Sequence, residues 1–151
     1  MAIDISVVVD GGEAFADVIE NLIDSTAAKM GLPFAPDLYN LRANQDDGTL
    51  AGGLTAYPVQ GWLFIKLLGV VEDQRGKGIG RALLERAEDF ARAKGLGGVY
   101  LDTFDFQAPV FYERLGYIEC GRLPVIRGGR QRIWLAKTFE VPELPAIPAT
   151  A

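Results

Sequence analysis

Between Glu72 and Arg81 the chain reads Glu-Asp-Gln-Arg-Gly-Lys-Gly-Ile-Gly-Arg, with Gly76, Gly78 and Gly80 interleaved among Arg75, Lys77 and Arg81. The segment follows an apolar run, Trp62 to Val71, and precedes a stripe of Ile79, Leu83, Ala87 and Phe90 at helical spacing. Glycines at such a junction let the backbone approach a ligand closely and aim successive N–H groups at one point. The first turn of the following helix adds unpaired amides and the positive end of its dipole. The loop therefore suits an anion, and a diphosphate is its natural occupant. A nucleoside-triphosphate loop needs a Lys followed by Ser or Thr, whereas Lys77 precedes Gly78. A dinucleotide fingerprint needs G-x-G-x-x-G, which glycines at 76, 78 and 80 do not give.

The pattern that does fit, Arg75-x-x-Gly78-x-Gly80, closely resembles the loop of the GNAT superfamily of N-acetyltransferases. A second segment strengthens the resemblance. Ala108, Phe111, Tyr112, Arg114, Leu115, Gly116 and Tyr117 match the family's downstream motif in place, while Asp105 stands where the family usually has Asn. The resemblance implies an α/β fold with a mixed, mostly antiparallel sheet, splayed between its fourth and fifth strands, with helices on both faces. It implies acetyl-CoA as cosubstrate, no metal, and direct attack of an amine on the thioester with no acyl-enzyme. The pantetheine arm is expected along Leu68, Gly69 and Val70. The diphosphate is expected on the amides of Arg75, Gly76, Lys77, Gly78, Ile79 and Gly80, with Arg81 nearby. Asp105 and Phe111 complete the expected cofactor contacts. Tyr112 matches the position of the acid that protonates the departing thiolate. Many relatives carry an acidic residue on the central strand, where this chain has Lys66, facing solvent at the acceptor mouth or pairing with a carboxylate. Asp102 is the candidate base, because it alternates with Leu101 and Thr103. A non-catalytic acyl-CoA-binding or regulatory domain of the same fold is the alternative reading.

The composition narrows the chemistry independently. The 151 residues include no histidine and a single cysteine, Cys120. Histidine-based dyads, His-ligated metals, internal disulfides and cysteine-built clusters are thereby excluded. Cys120 lies away from both motifs and is expected to be a buried small hydrophobe. A net charge of −5 disfavours nucleic acid and anionic membrane as partners. The N-terminus lacks the pattern of a signal peptide, and a cytoplasmic enzyme is expected. The acceptor is expected to be a small-molecule or peptide amine. Net acidity favours a cationic one, and the cluster Arg122, Arg127, Arg130 and Arg132 favours one bearing a carboxylate.

These groups need elements to hold them. Alternation predicts strands over Ile3–Val9, Leu38–Ala43, Thr49–Tyr57, Trp62–Val71, Val99–Phe104, Tyr117–Arg122 and Gln131–Thr138. Helical spacing predicts helices over Glu13–Met30 and Gly78–Lys94 and a short one from Pro109, ended at Gly116. Asn44 to Gly48 is turn chemistry, and Pro58 to Gly61 is expected to break the strand before Trp62. Gly69 is expected either to form a β-bulge or to mark a tight packing contact. The acceptor wall is expected from the first helix, the loop Gly31–Tyr39 and the segment Leu123–Arg130. Residues 1–140 are expected to form one domain, with 141–151 a tail rich in Pro and Ala. The two closing strands could pair edge to edge in a homodimer.

Overall fold

The structure, a computed structural model, describes residues 2–31 and 37–139. The chain divides into two compact units, Met1–Ala35 and Pro36–Ala151. The first unit contains helix α1, Gly12–Lys29, which starts after Gly11 in the left-handed region (φ 69). The strand expected over Ile3–Val9 does not form. Those residues alternate correctly, but a strand exists only where a second backbone pairs with it. Among the described residues they have no ladder partner. The expected tail, 141–151, lies outside the described residues.

The second unit runs β1 (Tyr39–Asn44), β2 (Leu50–Val59), β3 (Trp62–Val70), α2 (Ile79–Ala93), β4 (Gly98–Phe104), α3 (Pro109–Arg114), β5 (Ile118–Arg122) and β6 (Arg132–Thr138). The strands form one sheet in the order β1-β2-β3-β4-β6-β5. Every pair is antiparallel except β3 with β4. Helix α2 covers one face because its apolar stripe meets the inward positions of the central strands. Leu83, Leu84, Ala87 and Ala91 are buried with Leu54, Ala56, Leu63, Ile65, Val99 and Leu101. The helix ends in a Schellman cap. The N–H of Leu96 reaches the carbonyl of Ala91 (2.9 Å), and that of Gly95 reaches Arg92 (3.0 Å).

Strand β2 continues through Pro58, which pairs with Leu63, and turns only at Gln60-Gly61. Both turn residues have positive φ (44 and 87), the tight geometry that matches strand twist, so the expected break at Pro58 is absent. The bulge is also elsewhere than at Gly69. Thr55 faces Leu67 and Ala56 faces Ile65, which leaves Lys66 as the extra residue. Gly69 pairs in register with Gly53, and a Cβ on it meets nothing within 4 Å, so neither the bulge nor the tight contact applies there.

The parallel ladder between β3 and β4 covers only Trp62–Ile65 against Gly98–Leu101. Beyond it, β3 stays with β2 while Asp102 to Phe104 stay with β6. The sheet therefore opens between its central strands, as the resemblance implied.

Candidate functional site

The opening is floored by the second half of β3 and walled by the glycine loop and α3. A cleft of about 690 Å³ runs through it, lined by Leu68, Gly69, Val70, Arg75, Gly76, Gly78, Ile79, Gly80, Arg81, Phe111 and Tyr112, together with Gln74, Phe106, Gln107 and Ala108. Of the residues expected at the cofactor, Lys77 and Asp105 are absent from this wall. The Lys77 ammonium donates to Gln74 (3.2 Å). The Asp105 carboxylate accepts from Arg130 (3.0 Å).

The loop supplies main-chain donors. After a short 3-10 turn at Glu72–Gln74, the N–H of Arg75 bends back to the carbonyl of Glu72 (3.3 Å). From Gly76 to Arg81 the N–H groups donate to no carbonyl among the described residues, and the first return bond is from Ala82 to Gly78 (3.0 Å). The donor row is thus displaced one residue from the expected Arg75–Gly80. Gly78 holds φ 81, a conformation that an L side chain adopts only under strain. At Gly80 a Cβ would sit in ordinary contact, 3.4 Å from Phe111 Cζ, so the loop and α3 come close there without excluding a small side chain. Arg75 donates through Nε to the carbonyl of Val70 (3.2 Å) and ties the loop to the end of β3.

A second cavity of about 300 Å³ lies in the same opening, lined by Ile65, Lys66, Leu67, Leu101, Asp102, Thr103 and Phe104. Leu68, Gln107, Ala108 and Tyr112 line both cavities, so the two meet at these residues. Burial pushes the Tyr112 phenol above its ordinary pKa, and the Asp102 carboxylate adds to the shift. The Tyr112 phenol is therefore neutral at physiological pH. Asp102 faces the second cavity, as its alternation implied, and Arg132 binds its Oδ1 through Nη2 (2.8 Å) and Nε (3.0 Å). Lys66 lines the cavity from the bulge and makes no ion pair among the described residues.

Some expectations need correction here. The arginine cluster is largely neutralised, with Arg122 on Glu119, Arg130 on Asp105 and Arg132 on Asp102. It gives no argument for a carboxylate on the acceptor. Cys120 is exposed, because it is the extra residue at a register shift on the edge strand β5. Of the expected acceptor wall, residues 32–36 lie outside the described residues, and the segment Leu123–Arg130 contributes nothing to the second cavity. The matched motif does not single out Gln107. The signal available was its position between the matched Ala108 and the end of a strand, where a polar side chain can cap free backbone groups.

Residues 24–117 match the model of the acetyltransferase (GNAT) family. The chain is 37% identical over 127 residues to Acetyltransferase Atu2258 of Agrobacterium fabrum, covering 84% of this chain and 92% of that one. It is 42% identical over 89 residues to the blasticidin-S acetyltransferase of Streptomyces morookaense, covering 58% of this chain and 65% of that one. A crystal structure assigned as an acetyltransferase from Agrobacterium tumefaciens superimposes with a TM-score of 0.77 at 35% identity, over 92% of this chain and 100% of that one. An opened sheet, a row of free loop amides and a protonated tyrosine between two cavities thus sit on a chain that belongs to the GNAT acetyltransferase family and is an enzyme of acetyl transfer.

Proposed function

We propose that the protein is an acetyl-CoA-dependent N-acetyltransferase acting on a small-molecule amine, with the acetyl donor in the larger cavity and the amine in the smaller. The observation that carries this reading is the meeting of the two cavities at Tyr112. The donor set fits acetyl-CoA. The main-chain amides from Gly76 to Arg81 receive the diphosphate, helped by the α2 dipole and the charges of Arg75 and Arg81. The unpaired half of β3 at Leu68–Val70 receives the pantetheine amides as an added strand would. Phe111 packs beside the loop at Gly80.

An alkyl ammonium has a pKa near about 10 and must shed a proton before it attacks. Both Arg132 bonds fall on Asp102 Oδ1, which leaves Oδ2 to hold the ammonium and pass its proton to water. Tyr112 is neutral at physiological pH and delivers its proton to the thiolate as the acetyl carbon–sulfur bond breaks. The small-molecule class is supported by the relative named for blasticidin S and by a second named for streptothricin.

Calorimetric titration with acetyl-CoA tests the reading, followed by thiol release across a panel of small amines. Binding to the wild-type protein should weaken by about 10-fold or more in Gly78→Val, since a side chain at φ 81 distorts the amide row. Wild-type protein that ignores acetyl-CoA, or a Gly78→Val variant of unchanged affinity, defeats it.

A further inference from the structure

Gln107 stands in the turn between β4 and α3, and its carboxamide is held in one orientation. The backbone N–H of Phe104 can only donate, so the side-chain atom 2.9 Å from it must be the oxygen. Thr103 is 5% exposed, and its hydroxyl donates to the same oxygen at 3.0 Å. The main-chain N–H of Gln107 bonds to the Phe104 carbonyl (2.9 Å), which fixes the base of the side chain as well. With the oxygen doubly engaged, the amide nitrogen faces away, and its two hydrogens find no acceptor among the described residues.

The location gives this free amide a meaning. Four residues line both cavities, and the side chains of two of them, Leu68 and Ala108, carry no polar atom. The others are Tyr112 and Gln107. If donor and amine meet at this junction, the reacting carbonyl lies against one phenol and one primary amide. The phenol is committed to the sulfur. The carbonyl oxygen, which gains a full negative charge as the amine adds, then has Gln107 as its side-chain partner.

We propose that Gln107 Nε2 is a catalytic hydrogen-bond donor to the thioester carbonyl oxygen, and that Thr103 is the positioning residue that keeps the amide turned toward it. The assignment rests on the reading of the two cavities given above. As the amine nitrogen bonds to the carbonyl carbon, the C=O π pair moves onto oxygen, where Nε2–H stabilises it. The pair returns as the C–S bond breaks, the thiolate takes the Tyr112 proton, the nitrogen loses its proton to water, and the Tyr112 phenolate regains a proton from solvent. A neutral amide donates throughout this cycle, whereas a carboxylate at the same position would repel the developing charge.

The test uses the full chain with acetyl-CoA and an amine that the wild type acetylates. In Gln107→Met the kcat should fall about 10²-fold, the effect of losing one such donor, while acetyl-CoA affinity stays within about threefold. Gln107→Glu should be at least as impaired. Thr103→Val should lose about 10-fold in kcat and Thr103→Ser should retain wild-type turnover, a distinction that a purely structural role would not produce. Infrared difference spectra of bound acetyl-CoA, labelled with carbon-13 at the acetyl carbonyl, supply a readout without turnover. The carbonyl band should lie lower in the wild type than in Gln107→Met. An unchanged band, a kcat within about threefold of wild type, or a loss confined to KM for the amine overturns the assignment alone. A wild-type protein that does not bind acetyl-CoA overturns the cavity reading, and this assignment with it.

Discussion

Two tyrosines at adjacent positions in space illustrate how burial decides what a phenol can do. Tyr112 and Tyr117 pack edge to face at 6.0 Å, and burial raises the pKa of both. Tyr112 also lines both cavities, so its proton is usable, and Tyr112→Phe should lower kcat about 10²-fold with little change in acetyl-CoA affinity, measured by steady-state kinetics and titration. The Tyr117 hydroxyl is buried and has no hydrogen-bond partner among the described residues. Its burial is the larger cause of the shift, with Glu88 second. Above about pH 10 the unfolded chain releases this proton and the folded chain does not, so the unfolded state binds fewer protons and stability falls with rising pH. Tyr117→Phe should therefore leave thermal stability at pH 7 unchanged or improved and should soften the loss above pH 10, as followed by circular dichroism. The matched motif in the sequence makes Tyr112 legible. The role proposed for Gln107 is not, because it depends on which of its two ends the backbone captures.

At the scale of elements, the same contrast holds between local and non-local causes. Helix α2 and the loop before it are readable because the stripe, the glycines and the Schellman stop all lie within one stretch of chain. The position of the bulge is not readable, since it depends on where β2 and β3 come into register, and the eye is drawn to Gly69 instead of Lys66. The ion pair between Lys137 on β6 and Glu88 on α2 (2.6 Å) is likewise invisible in sequence, its members standing 49 positions apart. The same ammonium donates to the Leu115 carbonyl just after α3 (3.0 Å), so three elements share one charge. Lys137→Met should leave the buried Glu88 uncompensated at a cost of about 3 kcal/mol, toward the low end for such pairs because Lys137 is partly wet. Adding Glu88→Gln should recover most of that loss in a denaturant titration.

For the molecule as a whole, the fold class, the splayed sheet and the cofactor followed from two short motifs and their order. The expected first strand did not, because alternation within one segment does not specify a partner. The charge balance also reads differently once the arginines are seen to be paired. With 15 basic against 20 acidic residues and its arginine cluster neutralised, the protein should favour cationic over anionic amines. That preference should appear as a ratio of kcat/KM values at low ionic strength and shrink as salt is added. The extra residue on β3 has a further implication, for the kinds of genetic change this strand withstands. Leu68, opposite buried Leu54, turns toward the helix, and Leu67 turns away at 63% exposure, because position 66 advances the pleat by one step. The strand thus keeps count of its residues more strictly than it keeps their names. Exchanging the lysine for another side chain preserves the inside-outside parity of everything downstream, whereas excising it swaps Leu67 for Leu68 and turns the floor of the larger cleft over.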